Sequence, residues 1–461
     1  MSQSPLAGVI LAAGKGTRMK SENPKGLHAV CGVPMAGLIG RALKDAGVER
    51  PIVVVGHRGD LLVQALGESF DFAWQHEQLG TGHAARVASD LLAGKEGEVL
   101  ITPGDTPLLQ ASTLAALVEA HRASGASCTV ATVMMADATG YGRVIRDGSG
   151  AVSKIVEHKD ATAEEREVRE INTGIFCFGV RLLLDLLPKL GNQNAQGEYY
   201  LTDTVEAINA AGGKVAAFVF PDADEAMGVN DRWQLAEAEK ALRRRLLRNH
   251  ALNGVTILDP DSTFVGMDVE IGADTVIEPL TSITGATVIG SDCRIGPSTK
   301  IANSTIGDSC TVLMSHVSGA TMLDGSRCGP FANLRPGSVL GEKVKIGNFV
   351  EIKNASLGAG SAVSHLSYIG DGVVGERTNI GAGTIFCNND GFGKHKTEIG
   401  SGVFVGSNST LVAPVTIEDG AMVAAGSVIT SNVPENALAI GRGRQENKEE
   451  WAAQWRKKKQ S

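Results

Sequence analysis

Two different periodicities divide the chain. From residue 1 to about 230, short apolar runs alternate with amphipathic stretches. Leu6 to Ala13, Ile52 to Val55, Val99 to Thr102 and Ser127 to Val133 predict buried strands. Leu61 to Leu66, His83 to Leu92 and Ser112 to Ala123 predict the helices between them. This alternation predicts a mostly parallel, Rossmann-like α/β sheet covered on both faces, with ligands held beyond the carboxyl ends of its strands. Next, Leu235, Ala238, Leu242 and Leu246 recur at helical spacing, which predicts a connecting helix over 231–251 between domains 1–230 and 252–461.

After residue 251 the period becomes six. Ile271, Ile277, Ile283, Ile289, Ile295 and Ile301 fall at intervals of six. The ladder slips and resumes at Cys328, Leu334, Leu340, Ile346 and Ile352. It runs again through Ile399, Val405, Leu411, Ile417, Val423 and Ile429. Such a hexad predicts a parallel β-helix in which each short strand turns one aliphatic residue into a narrow core. Aromatics at only 4% suit that interior, and 57 glycines suit its many tight corners.

At 461 residues the chain exceeds one ordinary core, in line with the two patterns. A net charge of −8 argues against general nucleic-acid binding, so no nucleic-acid partner is expected. The basic runs Arg243 to Arg245 and Lys457 to Lys459 read as a solvated helix face and a tail. Seven cysteines without paired metal-ligand spacing suggest reduced thiols. Neither a cleavable leader nor a stretch of membrane-spanning length is evident, so the expectation is a cytoplasmic protein without a membrane anchor.

The first candidate chemistry lies directly behind the first strand. Gly14-Lys15-Gly16-Thr17-Arg18, followed by Pro24-Lys25, predicts a turn into a helix whose N–H groups, with Lys15, Arg18 and Lys25, cradle a nucleoside triphosphate. A dinucleotide loop needs a third glycine where Met19 stands, and an acidic residue about 20 positions on. A Walker A loop needs Gly-Lys-Ser/Thr, and this loop runs Gly-Thr-Arg. Pro103-Gly104-Asp105 ends another strand on the same side.

The second candidate site lies where the hexads break, at the polar insertion Cys387 to Lys396. Coils recur about every eighteen residues, which puts positions 335, 353 and 371 on one face of adjacent turns. Arg335 and Lys353 beside His365 suit a phosphorylated substrate next to a general base. The plain alternative is outer-face cations and a surface histidine. A metal site of His316, His365 and His395 is the other option, though their spacing does not bring three rings together.

The loop pattern matches the signature of nucleotide-sugar pyrophosphorylases. Longer segments extend the match: EQLGTGHA (77–84), TGYGR (139–143), VEHKDAT (156–162), EINTG (170–174), NAQGEYYLTD (194–203), NIGAGT (379–384), VGS (405–407) and LVAPV (411–415). From the opening loop to the tail, the chain resembles the bacterial bifunctional N-acetylglucosamine-1-phosphate uridylyltransferase / glucosamine-1-phosphate N-acetyltransferases. The resemblance implies a nucleotidyltransferase domain followed by a left-handed β-helix, and a cytoplasmic homotrimer of cell-wall precursor synthesis with an acetyl-transfer site built between subunits.

The resemblance also implies site roles. Leu11, Ala12, Ala13, Gly14, Gln75, Gly80, Thr81 and Gly104 would bind the uridine nucleotide, with Arg18 and Lys25 on its phosphates. Asp105 and Asn230 would hold Mg²⁺, and Gly140, Glu157 and Asn172 would orient N-acetylglucosamine. In the β-helix, His365 would be the general base for acetyl transfer from acetyl-CoA to glucosamine 1-phosphate. Arg335, Lys353, Tyr368 and Asn379 would hold the acceptor sugar phosphate. Ala382, Asn388, Ser407, Ala425 and Arg442 would contact acetyl-CoA. Two departures stand out: Pro103 replaces a common tyrosine, and so does Asn389, so contacts by those rings do not carry over. The rival readings are a monofunctional sugar-nucleotide pyrophosphorylase with a structural β-helix, and a hexad scaffold with a degenerate nucleotide fold.

Overall fold

Leu6–Leu11 is a central strand, and Ala7 to Ile10 are buried because parallel strands flank it on both sides. The computed structural model of the protein describes residues 4–460. In the first unit the sheet order is Val215–Val219, Cys128–Met134, Glu170–Gly179, Glu98–Pro103, Leu6–Leu11, Ile52–Val55 and Asp71–Trp74. Glu170–Gly179 runs antiparallel to both neighbours, and the hairpin Arg143–Arg146 with Val152–Val156 joins beside it. On one face Ile39, Leu43, Leu114 and Leu117 come from the helices Met35–Asp45 and Ala111–Ser124. On the other, Ala84, Leu183 and Val205 come from Thr81–Val87, Val180–Leu186 and Asp203–Ala210.

Two local expectations fail. The glycine loop does not enter a helix: Thr17–Met19 is a single 3-10 turn, because Lys20 at once adopts a left-handed conformation and Pro24 follows. No helix dipole is therefore available there, and charge near the loop must come from side chains. The helix expected over His83 to Leu92 is divided into Thr81–Val87 and Ser89–Leu92 at Ala88.

The second unit is a three-sided parallel β-helix with sheets of 11, 10 and 9 strands. Each strand pairs with its counterpart one coil on, for example Ile277 with Ile295, Ile283 with Ile301 and Ile289 with Ile306. The slip in the hexads is not a break. Ile306, Val312, Val317 and Met322 continue the ladder to Cys328, all buried, with shorter corners between them. Each such aliphatic contributes roughly 1.5–3 kcal/mol by leaving water. The two units part between residues 244 and 245, inside the helix Arg232–Leu252. All seven cysteines are free thiols. Among the described residues, no helix is long and apolar enough to cross a membrane.

Candidate active sites

The first unit opens a cleft of ≈470 Å³ at the carboxyl ends of Leu6–Leu11 and Glu98–Pro103. It gathers thirteen sequence-predicted residues: Leu11, Ala12, Ala13, Gly14, Lys25, Gln75, Gly80, Thr81, Gly104, Asp105, Gly140, Glu157 and Asn172. Arg18 and Asn230 stand outside this lining but are tied to it. The Lys25 ammonium donates to the Asp105 carboxylate and, at 2.8 Å, to Asn230 Oδ1. That same oxygen accepts from Arg18 Nη2 at 2.7 Å. Two hard oxygens from residues distant in sequence thus converge on one cationic nitrogen. The donor set fits Mg²⁺, which keeps water and phosphate oxygens for the rest of its shell. Among the described residues, no three His, Cys, Asp or Glu side chains form a protein-only metal site.

Gly80 lines the cleft and packs tightly against the Tyr199 backbone. Gly80 has φ +104°, and a Cβ there would lie 2.6 Å from the Tyr199 carbonyl oxygen. Only glycine fits. Gln75 is buried nearby, its amide nitrogen 3.2 Å from Gly80 O and 2.9 Å from His83 Nδ1. Glu157 also lines the cleft. Burial pushes its carboxyl above the ordinary range, neighbouring Asp160, Asp203 and Glu198 add to this, and a hydrogen bond from Thr202 Oγ1 opposes it. Burial, and then the Asp105 charge, also raise the Tyr141 phenol.

Sequence reasoning missed Gln78, Tyr141, Gly142, Thr173, Glu198 and Thr202 as lining residues. The signal was present, since all lie in the segments that carry the family resemblance. Pro103 also lines the cleft.

In the β-helix, Arg335, Lys353 and Asp371 follow one another on successive coils, with Arg335 N bonded to Ile352 O and Asp371 N to Lys353 O. Arg335 pairs with Glu351 at 2.9 Å, and Lys353 lies 3.5 Å from Asp371. Asp371 also accepts from Asn354 at 2.7 Å and Asn388 at 2.5 Å. Burial alone would raise its carboxyl, but these amide hydrogen bonds and the Lys353 charge hold it low. Lys394 from the insertion joins the same group, and close contact with the Lys353 side chain, and then its charge, lowers the Lys394 ammonium. His365 occupies the preceding strand, and its Nδ1 is 2.6 Å from Asn348 Oδ1. Asn348 is a site residue that the sequence reading did not single out.

The expected acetyl-CoA residues divide. Ala382 and Ser407 follow one another on successive coils, with Asn408 N bonded to Ala382 O and Gly426 N to Ser407 O, and a Cβ on Gly426, next to Ala425, would lie 4.0 Å from Arg442 Cδ. Asn388 is buried, and its side-chain amide donates to Asp371 and, at 3.4 Å, to Tyr368 Oη. Asn379 is exposed on Asn379–Ile380, which pairs with the His365 strand. Asn389 pairs with Lys394 inside the insertion and caps Gly391 N through its side chain.

Family comparisons agree with this architecture. Residues 8–170 match the MobA-like NTP transferase domain, and residues 268–303 and 396–431 match the bacterial transferase hexapeptide repeat. The chain is 51% identical over 453 residues to the bifunctional protein GlmU of Geobacillus thermodenitrificans, covering 98% of this chain and 99% of that one. It is 52% identical over 441 residues to the bifunctional protein GlmU of Exiguobacterium sp., covering 96% and 98%. A third relative, the bifunctional protein GlmU of Acetivibrio thermocellus, is 48% identical over 446 residues, covering 97% of each chain.

Proposed function

The chain belongs to the GlmU family of bifunctional proteins, and from that premise we propose that its β-helix acetylates glucosamine 1-phosphate and its α/β unit then joins the product to UTP. The two half-reactions need different machinery, and each unit carries one kind.

For uridylyl transfer, a phosphate oxygen of N-acetylglucosamine 1-phosphate attacks the α-phosphorus of UTP. The bond to the β-phosphate oxygen breaks and pyrophosphate leaves. Such a reaction needs alignment and charge neutralisation more than covalent help. Lys25 and Arg18 neutralise the phosphates, while Gln75 and Gly80 hold the base. Glu157, Asn172 and Gly140 hold the sugar. Asp105 and Asn230 would hold Mg²⁺, which when bound neutralises charge on the triphosphate.

For acetyl transfer, the amine of glucosamine 1-phosphate must lose a proton before it can attack a thioester. His365 takes that proton on Nε2, the C–N bond forms, the C–S bond breaks and CoA leaves as its thiol. Arg335 and Lys353 grip the phosphate, with Tyr368 and Asn379 on the sugar. Ala382, Ser407, Ala425 and Arg442 give a track of mainly small residues for acetyl-CoA. Asn388 supports Asp371 and Tyr368.

A homotrimer completes the reading. Phe331 and Phe349 stack at 5.3 Å yet are 54% and 55% exposed, an apolar edge suited to burial between copies. Seven free thiols suit a reducing cytoplasm.

One observation carries the proposal: the Asn348-supported His365 lies beside the cationic coils in a chain that also holds the Lys25, Asp105 and Asn230 cluster. A purely structural β-helix has no use for that pair. In paired assays on the full chain, His365→Ala should abolish CoA release and spare pyrophosphate release, and Asp105→Ala should do the reverse. Absence of CoA release from the unaltered protein would leave only the pyrophosphorylase.

A further inference from the structure

We infer that His83 is a positioning residue that makes the nucleotide cleft selective for uracil over cytosine by locking the Gln75 amide in one orientation. The inference rests on the uridylyl-transfer reading and adds a specificity determinant to it.

Gln75 follows the strand Asp71–Trp74, and its backbone N–H is bonded to Val55 O at 2.8 Å, so its place is fixed. The residue is only 3% exposed. The amide nitrogen has two hydrogens and two neighbours, Gly80 O at 3.2 Å and His83 Nδ1 at 2.9 Å. A backbone carbonyl can only accept, so the NH₂ group must face Gly80. His83 Nδ1 then receives the second hydrogen, which requires that nitrogen to be unprotonated and the ring proton to sit on Nε2. Both amide hydrogens are used. What remains is Oε1, which accepts from no described group and is not a sealed, orphaned atom. Gln75 lines the cleft, so it offers the ligand a fixed acceptor.

Uracil and cytosine differ at this point. N3 of uracil carries a proton between two carbonyls, whereas N3 of cytosine carries a lone pair beside an amino group. A fixed acceptor bonds the first and repels the second. Gly80 adds a complementary group: it lines the cleft, and its N–H donates to no described backbone carbonyl. A site that hydrogen-bonds one ligand discriminates because the wrong ligand leaves its buried polar groups unpaired. Without His83 the amide keeps one anchor of two, and its turned form, with NH₂ toward the cleft, becomes accessible to cytosine.

The test measures kcat/KM for UTP and for CTP by pyrophosphate release with N-acetylglucosamine 1-phosphate, on the full chain. His83→Phe should lower the UTP-to-CTP ratio about 3- to 10-fold, the worth of one orienting hydrogen bond. His83→Asn, whose side-chain oxygen stands near the place of Nδ1, should keep the ratio within about twofold. Equal losses for both nucleotides in His83→Phe, or an equal loss of selectivity in His83→Asn, would overturn the inference. Should the variants fail to fold, nitrogen-15 spectra of the unaltered protein decide the same question: His83 must carry its proton on Nε2, and a proton on Nδ1 refutes the lock. If the unaltered protein releases no pyrophosphate from UTP, the uridylyl-transfer reading falls and this inference with it. Normal UTP turnover with an unmoved ratio removes only the role of His83.

Discussion

The Nδ1 of His365 stands 2.6 Å from Oδ1 of Asn348, its register partner on the neighbouring coil. An amide oxygen can only accept, so the ring proton is held on Nδ1 and Nε2 keeps the lone pair that a general base needs. Asn348→Ala should therefore lower the rate of CoA release by roughly tenfold, less than the 10²–10⁴ expected for loss of the base itself. Pyrophosphate release should be unchanged. Steady-state assay of both reactions checks this, and a fully active Asn348→Ala would deny the histidine its support.

Asn230 shares one oxygen between Lys25 and Arg18, and that oxygen is one of the two proposed for Mg²⁺. Asn230→Ala should raise the Mg²⁺ concentration needed for half-maximal uridylyl transfer about 10- to 100-fold, with much of the rate recovered at high Mg²⁺. Lys25→Ala should not be rescued by Mg²⁺, because it removes the charge proposed to neutralise the phosphates. A Mg²⁺ titration of both variants separates the two roles.

Asp203 begins the helix Asp203–Ala210, and its carboxyl is pushed up to about 6 by burial first, and then by Glu206 and Asp160. Its folded value lies above its unfolded one, so the fold binds the proton more tightly. Stability is fully supported at acid pH and declines as pH rises through about 6. Reduced for solvent screening at this half-buried site, the expected gain from Asp203→Asn is about 1–2 kcal/mol at pH 8 and almost nothing at pH 4. Urea unfolding at the two pH values reads the difference. Equal gains at both would show that the effect is not electrostatic.

The Tyr199 carbonyl that faces Gly80 cannot yield easily, because it accepts from Gly82 N at 2.7 Å while Tyr199 N is bonded to Leu79 O at 2.8 Å. Gly80→Ala combines a clash with this oxygen and a left-handed φ. It should cost about 1–3 kcal/mol locally, seen as a rise in the KM for UTP of tenfold or more. CoA release should be unaffected. An unchanged KM would mean that the loop relaxes freely.

Both architectures are local consequences of the chain. Hexads specify a β-helix because every coil buries the same position, so Ile283 and Ile301 need no distant information to stack. The alternation before residue 230 likewise dictates strands such as Leu6–Leu11, and glycines mark where Leu11 and Pro103 hand over to ligand loops. The continuity of the ladder through Ile306 and Val317 escaped, because shortened corners break a period without breaking a register. The helix expected after Gly16 failed because one left-handed residue, Lys20, ends it after a single turn.

Residue types and spacing put Lys25 and His365 among the candidates, and the family resemblance implied roles for Asp105 and Asn230. They could not show what those groups do to one another. The joining of Asn230 to Lys25 spans 205 positions, and the support of His365 by Asn348 depends on which residues a coil's register sets side by side. The inferred lock on Gln75 joins the Gly80 carbonyl to a histidine eight residues from the glutamine. Burial patterns repeat along a sequence and can be read from it. Hydrogen-bond direction and shared charge arise only when the folded chain brings particular atoms within about 3 Å of each other.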